Sequence, residues 1–128
     1  MLGRLICGFL AAFVSTICVA DTIGGFWKHA EEPGWIEISM ESGTGVVVRN
    51  DVYPERVGRK ILKDIAADED DANTWNAQVF AERLGGYRDA RIVLASPERM
   101  DIKVKVGFMS RTIEWMRVDE VAPAATPD

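Results

Sequence analysis

The chain has little of the chemistry that most catalytic and metal sites require. Of its 128 residues, two are cysteine and one is histidine. Both cysteines, Cys7 and Cys18, lie in an apolar N-terminal stretch, so the remainder holds no thiol, disulfide or cysteine-based metal site. A zinc site would then need mostly carboxylates around His29, an uncommon ligand set, and a lone histidine at the end of a strand is expected in solvent. Ser39, Ser42, Ser96 and Ser110 have no Gly-x-Ser-x-Gly context, and His29 is the only histidine that could serve them as base. The acidic run Asp68-Glu69-Asp70-Asp71 lacks the glycine and distal glutamate of a calcium loop and reads as a solvated turn. No pair stands out among the 20 acids as a glycosidase pair. No dense basic cluster offsets a net charge of −5, which argues against a nucleic-acid partner. These scarcities lead us to expect no cofactor, no metal and no enzyme.

What the N-terminus does have is a targeting pattern. Arg4 precedes an apolar stretch from Leu5 to Val19, and Cys18-Val19-Ala20 supplies small residues at a cleavage site. The stretch is short for a spanning helix and no basic stop-transfer cluster follows it. Residues 1–20 are therefore expected to be a signal peptide cut between Ala20 and Asp21, with a retained anchor as the competing reading. A lipoprotein is disfavoured by Ile17 before Cys18. Cleavage removes only Arg4 from the charge balance, taking −5 to −6. The expected product is periplasmic or secreted, without a transmembrane segment. It would comprise one domain over residues 21–120 and a disordered tail over 121–128, where two prolines and three alanines fall.

Strand patterns fill the domain. They are Gly25–His29, Trp35–Met40, Thr44–Arg49, Arg59–Ile65, Thr74–Phe80, Tyr87–Ala95, Met100–Phe108 and Arg111–Val118. The clearest is Met100-Asp101-Ile102-Lys103-Val104-Lys105-Val106, apolar on one face and charged on the other, as in a half-buried antiparallel strand. Residues 59–67 fit a strand or a helix, because Ile61, Leu62 and Ile65 also suit helical spacing; we prefer the strand. The fold class is all-β. Closing about eight strands into an up-and-down antiparallel barrel leaves no open edge, and a two-sheet sandwich is the alternative.

Several motifs add to this pattern. They are Gly25-Phe26-Trp27, Arg49-Asn50-Asp51 leading to Pro54, Gly58-Arg59-Lys60-Ile61-Leu62, Trp75, Gly86-Tyr87-Arg88-Asp89-Ala90 and Arg111-Thr112-Ile113-Glu114-Trp115-Met116-Arg117. Together they resemble a domain-of-unknown-function family of small secreted bacterial lipocalin-like proteins, calycin-type barrels that open on Gly-x-Trp. The chain differs from that pattern where Ala81-Glu82-Arg83 replaces an Asp-Pro, and where the loop after Arg49 lacks an Asn-Pro. The resemblance implies a lipocalin-like barrel and an exported protein, and no activity.

Four residues are structural candidates. Arg117 is expected to stack on Trp27 and close the barrel, with Gly25 and Trp115 in the same two motifs. Trp35, Trp75, Tyr87 and Phe108 could line a cup for a small apolar or amphiphilic ligand in the barrel mouth, or fill the core. The other class of function is a cell-envelope protein-interaction module with a packed barrel. Its rim would be the Asn50–Glu55 connection and the Glu82–Arg88 turn. Arg83, Arg88, Arg91, Lys103, Lys105 and Arg111 fall on neighbouring strands and turns. Ordinary solvated faces paired to Asp89, Asp101 and Glu114 are the preferred reading, and a patch for an anionic lipid headgroup, a wall polymer or an acidic partner is the other.

Overall fold

The computed structural model describes residues 22–122. The expected signal peptide and its cleavage site, and all of the expected tail beyond Ala122, lie outside the described residues. Eight strands run in chain order: β1 (Gly25–His29), β2 (Gly34–Ser39), β3 (Thr44–Asn50), β4 (Lys60–Ala67), β5 (Thr74–Ala81), β6 (Gly86–Ser96), β7 (Arg99–Val106) and β8 (Met109–Val118). A single 3₁₀ turn, Pro54–Arg56, interrupts the β3–β4 connection. Each strand pairs antiparallel with the next, and β1 pairs with β8, so the sheet closes into an up-and-down barrel rather than a sandwich. At the seam Phe26 faces Val118, Trp27 faces Arg117, Lys28 faces Met116 and His29 faces Trp115.

Alternation builds the interior. On β7, Met100, Ile102 and Val104 are buried, while Asp101, Lys103 and Lys105 point the other way. The same period on the other strands brings Trp27, Ile38, Leu62, Trp75, Ile92 and Leu94 into one apolar core. Gly45 on β3 makes room for this packing: a Cβ there would stand 2.9 Å from the Leu62 Cδ1.

Residues 60–67 form a strand, and the ambiguity in their spacing has a cause. The register between β4 and β5 shifts between Lys63 and Ala66, and Asp64 adopts φ 56°. This bulge breaks strict alternation, so Leu62 and Ile65 are not two steps apart on one face. The last hairpin also differs from expectation. Val106 faces Met109, which leaves Gly107 and Phe108 as a two-residue turn with Gly107 at φ 67°. Glycine at the first turn position suits the twist of a hairpin, so Phe108 leaves the strand for its tip.

The topology separates two ends. The β2–β3, β4–β5 and β6–β7 turns share one end with the incoming segment Thr22–Gly24. The β1–β2, β3–β4, β5–β6 and β7–β8 turns share the other. Among the described residues no helix is long and apolar enough to cross a membrane.

Candidate functional site: a cavity at one end of the barrel

The end where the chain enters is sealed. Ile23, with no exposed surface, lies next to the barrel wall, and its carbonyl accepts a 2.9 Å hydrogen bond from the Trp27 indole Nε1. The Arg117 guanidinium lies 4.4 Å from the Trp27 ring centroid. It donates to the carbonyls of Thr22 at 2.7 Å, Gly24 at 3.0 Å and Pro97 at 2.7 Å. One side chain thus joins the entering segment, β8 and the β6–β7 turn. Gly25 permits this: it has φ 121°, and a Cβ there would sit 3.4 Å from the Arg117 Nη1. Any other residue would strain the backbone and crowd the guanidinium.

The opposite end is hollow. A cavity of about 690 Å³ opens there. Its wall is aliphatic, with Ile36, Val47, Ile61, Val79, Ile102, Val104 and Ile113, and Trp115 also lines it. The rim is charged. Arg56, Glu82, Arg83, Arg111 and Glu114 stand around it, with Glu31 and Glu32 on the β1–β2 turn. An apolar wall with a few polar groups at the opening is the usual make-up of a small-molecule pocket.

Ion pairs order part of this rim. Glu82 pairs with Arg59 and, at 3.8 Å, with Arg56, which ties the β3–β4 connection to the β5–β6 turn. Glu114 accepts from Arg99 at 3.0 Å. Among the described residues Arg83 and Arg111 have no carboxylate within 4.0 Å, so both can meet an anionic group. Beyond the rim, hydrogen bonding to Asp51 holds the Arg49 guanidinium charged above its ordinary value. The same contact lowers the Asp51 carboxyl.

His29 is half-buried at this opening, not in open solvent. Its Nδ1 accepts from the backbone N–H groups of Glu31 at 3.0 Å and Glu32 at 3.1 Å, and its ring stands edge-on to Trp115 at 5.0 Å. It shapes the β1–β2 turn. The Trp115 indole Nε1 is buried without a hydrogen-bond partner among the described residues.

The four aromatic residues expected at a ligand cup are not brought together. Trp35 reaches the cavity edge, but it alternates with the buried Ile36, and Arg49 and Lys28 lie against its ring at 4.5 and 5.4 Å. Trp75 is part of the packed core and does not line the cavity. Tyr87 packs against Phe80 and Lys63, and its hydroxyl donates to the Lys60 carbonyl at 2.6 Å. Phe108 is wholly exposed at the tip of its hairpin. Aliphatic residues do the lining instead. The alternation Ile102, Val104 on β7 contained that information, whereas aromatic size drew attention to the wrong faces. Arg83, on the Glu82–Arg88 turn, and Arg111 are among the candidate cations in the sequence, whereas their grouping with Arg56 around one opening depends on turn geometry and strand register that sequence spacing does not encode.

The acidic run is folded onto itself. Asp68 accepts from the N–H groups of Asp70 and Asp71 and from the Asn76 amide. Arg91 pairs with Asp68 at 3.5 Å and also with Asp71. The Asn76 hydrogen bond is the main cause that holds the Asp68 carboxyl below the usual carboxylate range, followed by the two backbone N–H groups.

No family model, no curated protein and no solved structure matches the chain.

Proposed function

We propose that the chain is an exported, lipocalin-like binding protein that carries a small apolar or amphiphilic molecule in the open end of its barrel, acting by binding and not by catalysis. One observation carries this reading: the barrel, filled by side chains over the rest of its length, keeps a cavity of about 690 Å³ behind a charged rim. An eight-stranded barrel is wide enough to be packed solid or to hold one small ligand, and this interior leaves space where a purely structural core would fill it. The motif pattern from Gly25-Phe26-Trp27 to Arg117 and the signal-like residues 1–20 support the lipocalin-like and exported parts of the proposal. The aliphatic wall suits a hydrocarbon body, and Arg83 and Arg111 at the rim suit an anionic head.

The test is a fluorescent long-chain carboxylate titrated into the exported protein. Val104→Phe puts bulk into the cavity from a wall position. We expect saturable binding by the wild type and an affinity at least about tenfold weaker for the variant. Equal affinity in a folded variant refutes the site. Native mass spectrometry of protein never denatured reports on the cargo directly, as an extra mass that leaves on mild activation.

A further inference from the structure

We propose that the open end of the barrel docks on the surface of an anionic lipid bilayer, with Phe108 as the leading side chain. The proposal extends the carrier reading, since it supplies the route by which an amphiphile enters the cavity.

The first observation is where the chain exposes apolar bulk. Phe108 is 100% exposed, and its neighbours Val106 and Met109 are 37% and 62% exposed. The hairpin turn needs glycine at Gly107 and makes no demand for an aromatic beside it. Val52, Tyr53 and Val57 are exposed on the β3–β4 connection, and Leu84 on the β5–β6 turn. Three of the four turns at the open end therefore present apolar side chains around one opening. Elsewhere among the described residues only Met40 and Met116 are large, apolar and exposed. A concentration of this kind marks a contact surface.

The second observation is charge. Residues 103–111 carry Lys103, Lys105 and Arg111 and no acid, on a chain of net charge −5. Arg83 stands on the adjacent turn, and none of the four has an ion-pair partner among the described residues. Cations flanking an apolar tip match a layer of anionic headgroups over hydrocarbon. The acidic β1–β2 turn, with Glu31 and Glu32, is the one open-end turn without exposed apolar bulk, and a tilted approach leaves it in water.

A second copy of the chain fits less well. A two-fold contact centred on this hairpin brings the lysines of one copy toward those of the other. The apolar tips also ring an opening on separate turns and offer no continuous flat face.

The exported protein, purified without denaturation and without added ligand, is sedimented with vesicles of phosphatidylcholine alone and with phosphatidylglycerol mixed in. We expect association with the mixed vesicles that weakens as salt is raised. Phe108→Ser should lower partitioning about tenfold or more, and the double variant K103Q/K105Q about fivefold per charge. Both sites are exposed, so folding is preserved. Absence of association, or equal association of wild type and Phe108→Ser, overturns the docking. So does a vesicle-free dimer that Phe108→Ser dissolves, which assigns the surface to a second copy. The same samples are titrated with the fluorescent carboxylate. Probe binding without vesicle association removes the docking and leaves the carrier. Vesicle association without probe binding keeps the docking and removes the carrier.

Discussion

Arg117→Ala tests the closure of the barrel. The guanidinium loses two half-buried hydrogen bonds, to Thr22 and Gly24, one exposed bond to Pro97, and the contact with Trp27 at 4.4 Å. Hydrogen bonds to a charged group are worth about 1.5–3 kcal/mol each when shielded, and a cation over an indole about 0.5–2 kcal/mol. Partial exposure discounts these, and water can reach some of the abandoned carbonyls. We take about 2–4 kcal/mol in all. For a domain of this size each kcal/mol shifts Tm by about 4–8 °C, so Arg117→Ala should melt about 8–30 °C below wild type. Arg117→Lys should recover less than half of the loss, because an ammonium cannot span three carbonyls while lying flat on the ring. Thermal unfolding followed by circular dichroism measures both. A change of under about 2 °C in Arg117→Ala, or a lysine variant equal to wild type, refutes the reasoning.

Two further predictions concern stability. Gly45→Ala drives a Cβ to 2.9 Å from the Leu62 Cδ1 and 3.1 Å from its Cβ, and should cost about 1–3 kcal/mol in urea unfolding. Asp68 has a lowered carboxyl in the folded state, so its contribution is present above the unfolded value near about 4 and is lost as pH falls through the folded one. Stability should therefore decline on acidification below about pH 4, and Asp68→Asn should flatten that decline while leaving the slope above pH 5 unchanged.

The barrel was legible because its signals are local. Strict alternation on Met100–Val106, turns at regular spacing, and a tryptophan in both first and last strands point to a closed antiparallel sheet without knowledge of any contact. The cavity was not legible. Ile102 and Val104 line the hollow end, while Ile92 and Met100 fill the packed part, and all four follow the same alternation. Whether an inward aliphatic meets a partner across the barrel depends on the size of residues about four strands away in the chain order. Aromatics misled for a related reason. Trp35 and Tyr87 are large enough for a core, yet each rests on an outer face beneath a cation: Arg49 at 4.5 Å on Trp35 and Lys63 at 4.3 Å on Tyr87. Turn tips are the least legible, since one residue of register decides whether Phe108 ends a strand or leads a hairpin.

The seam between β1 and β8 also governs how the chain reaches this structure. Every other pairing joins strands adjacent in sequence, whereas Trp27 must find Arg117 across the whole domain. Hairpins can form early and cheaply, but the long-range loop closes late and at the greatest entropic cost. During synthesis β8 is the last strand to emerge, so a growing chain carries β1 as an unpaired edge throughout. An edge waiting for its partner can also accept the β8 of another molecule. The speed with which the last strand docks therefore decides between a closed monomer and an exchanged or aggregated one.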